Sequence, residues 1–110
     1  MSKPIKKEVL LEKERFELKA KSGGGLLRYE VWGHIEGGTA TVTRYDLAYI
    51  NHALFVGDNG RVLGFDNAHG HHHRHNMGKV ESVGFVGYEE TLERFQKEWT
   101  EIVQQLKERK

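Results

Sequence analysis

The chain predicts an α+β fold: an antiparallel sheet of about five strands, with one long C-terminal amphipathic helix packed on one face. Three observations point there. Apolar residues near the C-terminus recur at helical spacing, those before them recur at every second position, and glycine-rich breakers separate the alternating stretches. No internal repeat or linker interrupts the plan, so residues 1–110 form a single domain.

The first strand starts ambiguously in VLLEKERFELKA and alternates clearly only from Phe16 through Leu18 and Ala20. The breaker Ser22–Gly25 suits a hairpin loop. In LLRYEVWGHI, Leu27, Tyr29, Val31 and Ile35 share one face, while Arg28, Glu30, Trp32 and His34 share the other. A turn at Glu36–Gly38 leads to a third strand, Thr39–Ile50, rich in Thr, Val and Tyr. The next stretch, NHALFV, extends that strand or bulges from it. Gly57–Gly60 reads as a turn because Asn-Gly favours positive φ, and Arg61–Asp66 is a short fourth strand. Lys79–Val86 supplies a fifth.

The helix is expected over Tyr88–Glu108. Tyr88, Leu92, Phe95, Trp99, Ile102, Val103 and Leu106 form its apolar stripe. Gly87 serves as N-cap, Glu89 and Glu90 occupy the first turn, and Lys107, Arg109 and Lys110 the last, which complements the helix dipole. Core packing explains this stripe better than a coiled coil or a membrane-surface helix.

Composition narrows the function classes. Seventeen Lys and Arg oppose sixteen Asp and Glu, a formal charge of +1, so net charge does not announce a nucleic-acid binder. With no cysteine, disulfides and thiolate chemistry are excluded, which fits a reducing compartment. The basic N-terminus is followed by no apolar signal region, and no run approaches a membrane span. The expected place is the cytoplasm, without a membrane.

Five of the seven histidines lie within HGHHHRH, His69 to His75. The run is internal and broken by Gly70 and Arg74, unlike a purification tag. It admits three readings. If extended, His69, His71, His73 and His75 share one face and could bind zinc or another transition metal, though the spacing matches no standard finger. As acid–base chemistry, His73 and His75 could serve a phosphodiester as base and acid, with Arg74 between them to neutralise charge and Asp66 or Asn67 to fix a tautomer. The flanking Gly70 lets backbone approach a phosphate. As a plain loop, Asp66 and Asn67 satisfy backbone donors in an Asx-turn. The density of imidazoles tells against the plain loop, since a loop needs no five of them.

The order Gly64, Phe65, Asp66, Asn67, Gly70, His73-Arg74-His75, Gly78, Glu81 and Phe85 resembles the TumE family, small prokaryotic proteins that form the toxin half of toxin–antitoxin pairs. The likeness extends upstream to RYDLAYI. The spacing from Gly70 to His73 is shorter than in many members, and NHALFVGDNG makes a longer hairpin. The resemblance implies a cytoplasmic toxin with an antitoxin protein as partner, and leaves the mechanism open. RNA is the expected substrate, because imidazole pairs suit RNA cleavage and small toxins often attack RNA. The expected catalytic residues are His73, Arg74, His75 and Asp66. Asn67, His69, Gly70, Arg28 and Trp32 are expected to bind substrate or partner. No cofactor is expected, the metal set His69, His71, His73 and His75 being the alternative. A non-catalytic binding module and a homo-oligomer both stay open.

Overall fold

The computed structural model describes residues 7–108. The first six residues lie outside that range, as do Arg109 and Lys110, which were expected in the last helical turn. Six strands form one antiparallel meander in the order β1-β2-β3-β4-β5-β6: β1 Val9–Glu17, β2 Leu26–Glu36, β3 Thr39–Ile50, β4 Arg61–Asp66, β5 His73–Asn76 and β6 Lys79–Ser82. One helix, α1 (Tyr88–Glu108), follows. No helix among the described residues is long and apolar enough to cross a membrane.

The α+β architecture stands, with six strands rather than about five. The additional one, β5, comes from the histidine segment itself. Its four residues have no apolar alternation, so nothing in their pattern marks a strand. The β5–β6 hairpin closes on Met77 (φ 47°) and Gly78 (φ 84°), a two-residue loop with both φ positive, as the right-handed twist of hairpins favours. β6 ends at Ser82 and not at Val86. β1 begins at Val9 and stops at Glu17, so Leu18 and Ala20 fall outside it. NHALFV does not continue β3. Asn51 turns the chain there by accepting from the Ala53 amide at 3.0 Å while donating to the Gly23 carbonyl at 3.1 Å.

The helix covers one sheet face, where Leu27, Tyr29, Tyr45, Leu47, Tyr49, Leu63 and Phe65 make the core with Phe95 and Val103. Phe95 is fully buried and meets Tyr29 and Phe65 edge-on at 5.6 and 6.3 Å. Leu92, Trp99 and Ile102 pack around it half-buried. Ile35, expected among the core residues of β2, is exposed because the β2–β3 hairpin runs past the helix. Among the described residues no helix lies over the opposite sheet face. Strand alternation brings Glu30, Asp46, Asp66 and His73 onto that open face.

Candidate active site

On the open face, opposed residues line up across the sheet. One row runs Lys13, Glu30, Asp46, Asp66, His73 and Ser82 from β1 to β6. Three carboxylates on neighbouring strands repel one another unless each has a cation. Lys13 lies 3.8 Å from Glu30, and Arg28 lies 3.2 Å from Asp46. Asp66, the most buried of the three, is served by two histidines and an arginine.

Asp66 Oδ2 accepts from His75 Nε2 at 2.6 Å, and its Oδ1 lies 3.7 Å from His73 Nδ1. Arg61 Nη2 donates to His75 Nδ1 at 3.1 Å. A guanidinium only donates, so Nδ1 is the acceptor and the proton sits on Nε2, which faces the carboxylate. Both nitrogens of His75 are thus engaged. Arg61 reaches Asp66 as well, with Nη1 at 3.8 Å, and is held from behind by Asp58, which accepts from Nε at 2.7 Å. His73 differs, since its Nε2 has no hydrogen bond among the described residues. The His73 and His75 rings are 6.3 Å apart.

The same Asp66 closes an Asx-turn: Oδ1 accepts from the Ala68 amide at 3.1 Å. The loop reading and the site reading therefore share one residue. Burial pushes the Tyr45 hydroxyl up to about 12, and the nearby Asp66 charge adds to the shift.

The sequence did not point to Arg61. Counting by twos groups it with Leu63 and Phe65 on the helix face. An irregularity in the β3–β4 ladder, where Tyr49 opposes Leu63 but Ile50 opposes Arg61, moves it to the open face. Gly64 lets it stay there: a Cβ at Gly64 would come within 2.7 Å of Arg61 Cδ.

Other expected residues are placed differently. Arg74 is not between the histidines. It opposes Phe65 on the helix side, because the alternation that unites His73 and His75 sends Arg74 to the other face. There it binds Glu98 at 2.7 Å and Glu81 at 3.1 Å. Together with Arg94 and Glu98 it lines a groove of about 590 Å³ between the helix and β5. Asn67 does not touch the histidines either. Its Oδ1 accepts from the Tyr45 amide at 3.0 Å and its Nδ2 donates to the Thr43 carbonyl at 2.8 Å, so it prolongs the β3–β4 ladder where β4 has ended. His72 sits on the helix side, stacked on Phe85 at 3.9 Å and hydrogen-bonded to the Tyr45 hydroxyl at 2.9 Å.

The four-histidine metal face is not assembled. His69 lies exposed in a short turn, Ala68–Gly70, with φ 59°, and leaves the row that His71, His73 and His75 keep. Gly70 (φ 76°) shares that turn. Among the described residues no three His, Asp or Glu side chains are grouped to hold a metal ion.

Trp32 and Asp66 line one cleft of about 300 Å³ with Glu30, Arg44 and Asp46. Arg44 stacks over the Trp32 ring at 4.5 Å and pairs with Glu8 at 3.4 Å. Arg28 lies outside this cleft, on the Asp58 and Arg61 side.

No family model, curated protein or solved structure matches the chain. The likeness to TumE proteins rests on the motif residues alone. Of those, Asp66, His73 and His75 meet on the open face, while Arg74, Glu81 and Phe85 do not join them.

Proposed function

We propose that the protein is a TumE-like cytoplasmic toxin that cleaves RNA without a metal, through His73 and His75 on the open sheet face, and that an antitoxin protein restrains it. The observation that carries this reading is the shared Asp66 carboxylate, bonded to His75 at 2.6 Å and set 3.7 Å from His73, with Arg61 alongside. His73 supplies the base, since its Nε2 is open to take the proton of a ribose 2′-hydroxyl. The freed oxygen attacks phosphorus, and the bond from phosphorus to the 5′-oxygen breaks. Protonated His75 gives its Nδ1 proton to that leaving oxygen, while Asp66 steadies the ring through Nε2. Once protonated, Nδ1 no longer accepts from Arg61, so the guanidinium is released to face the phosphate charge. A 2′,3′-cyclic phosphate and a 5′-hydroxyl result. Trp32, which lines a neighbouring cleft with Asp66 but without the histidines, offers a face for an adjacent base.

The test is RNA cleavage in the presence of chelator by wild type, His73→Ala and His75→Ala, with thermal melts to establish folding. Either histidine variant should be slower by about two to four orders of magnitude. Full activity in both folded variants, or no cleavage by wild type, removes the proposal.

A second reading is favoured by the saturation of His75. With both ring nitrogens bonded, the Asp58–Arg61–His75–Asp66 network could serve only to fasten the β5–β6 hairpin to β4, in a module that binds without catalysis. In that case His75→Ala lowers stability and wild type leaves RNA intact.

A further inference from the structure

Strand β1 is an edge of the sheet, nine residues long and, among the described residues, paired with β2 alone. It contains no proline, and its outward row of backbone groups is open among the described residues. Such an edge is a template for another strand unless its side chains prevent it.

The pairing with β2 sorts those side chains. Glu12, Glu14 and Phe16 oppose Val31, Tyr29 and Leu27 and therefore stand on the helix side. Lys13 and Arg15 oppose Glu30 and Arg28 and stand on the open side. From Glu12 to Arg15 the edge is acidic on the helix side and basic on the open side, and Glu17, opposite Leu26, returns a carboxylate to the open side. Glu14 and Arg15 have no hydrogen bond or ion pair among the described residues. Phe16, 48% exposed, closes the stretch on the helix side.

A second copy fits the central registers of this edge poorly. Two-fold antiparallel pairing of β1 with itself keeps each side chain on its own side of the joined sheet. Centred on Lys13, it sets Lys13 against its copy and Glu12 against Glu14. Centred on Glu14, it sets Glu14 against its copy and Lys13 against Arg15. Like charges directly opposed destabilise a strand pair.

We propose that β1 is a docking edge for a strand of a different protein, one that carries basic side chains on the helix side and acidic ones on the open side, with an apolar residue against Phe16. Backbone hydrogen bonds supply affinity, and the two-sided charge pattern selects the partner. The edge lies at the opposite end of the strand order from His73 and His75, so this proposal and the cleavage reading can fail separately.

The probe is a nine-residue peptide alternating Lys and Glu through its centre, titrated into isotopically labelled full-length protein and followed by NMR. Saturable shifts in the amides of residues 9–17 are expected. A peptide of the same composition with its lysines and glutamates in two blocks should bind about tenfold more weakly, since it cannot match both sides. N-methylation along the peptide's pairing edge should abolish binding. Sedimentation of the free protein should show no dimer joined through β1. Equal binding by the block or N-methylated peptide, shifts centred on another surface, or protection of the β1 amides by self-association would each overturn the proposal.

Discussion

Arg61 keeps its place beside His75 because the residue its side chain crosses has none of its own. Gly64→Ala would put a methyl group within 2.7 Å of Arg61 Cδ and 3.2 Å of the Leu47 carbonyl oxygen. The arginine stem yields before the backbone does. We expect this variant to lose the Arg61 contacts to His75 and Asp66, to fall in stability by about 1–3 kcal/mol in urea denaturation, and to shift the His75 ring signals in NMR. An unchanged His75 environment would show that Gly64 does not hold Arg61 in place. Asn67 acts on backbone alone. Asn67→Ala leaves the Tyr45 amide and the Thr43 carbonyl without their partner, at a cost of about 1–3 kcal/mol. Faster hydrogen exchange at the Tyr45 amide is the specific readout. The meeting of Asp66, His73 and His75 could be expected from residue types alone, but Asn67 could not be distinguished from them: an amide beside histidines looks the same in sequence whether it faces a ring or a strand.

At the scale of elements, α1 was the most legible part of the chain, because seven apolar residues at one spacing leave little freedom in which face is buried. Within that stripe the burial is uneven. Phe95 is 0% exposed, whereas Trp99 remains half-buried. Phe95→Ala should therefore cost about 3–5 kcal/mol, and Trp99→Ala less, as compared by urea midpoints. The reverse order would contradict this packing. Strand β5 was not legible. His73-Arg74-His75-Asn76 is held in the sheet by ladder bonds to β4, by the Arg74–Glu98 ion pair on one face and by the His75–Asp66 hydrogen bond on the other, not by an apolar alternation. Its turn offers a separate test. Met77 adopts a left-handed φ of 47°, which suits asparagine better than methionine. Met77→Asn should raise stability by about 0.5–1 kcal/mol, read as a higher thermal midpoint.

Across the whole molecule, pH ties the core to the site. Burial raises the Tyr88 hydroxyl further than that of Tyr45, which stands at about 12 against an ordinary value of 10.0. Both stay protonated in the fold while the unfolded chain already releases its protons. Their contribution to stability is complete below pH 10 and is lost as the pH rises toward 12. A thermal midpoint followed across that range should fall, and Tyr45→Phe should make the fall shallower. A midpoint that holds steady through pH 12 would mean that neither hydroxyl is shielded as described.

The sequence by itself determined the α+β class, the bounds of β3, β4 and α1, the positive-φ turn at Asn59 and Gly60, and the gathering of imidazoles beside Asp66. Those features are local. They follow from side-chain periodicity, turn chemistry and residue type, all of which can be read within a few neighbouring positions. Only the tertiary structure decided that Arg61, and not Arg74, stands with the histidines. One irregular step in the ladder between β3 and β4 reverses the face on which Arg61 emerges, and the pairing of β4 with β5 sends Arg74 to the helix. A strand's register depends on hydrogen bonds to residues distant in the chain, and a shift of one residue changes the side of the sheet on which a charge appears.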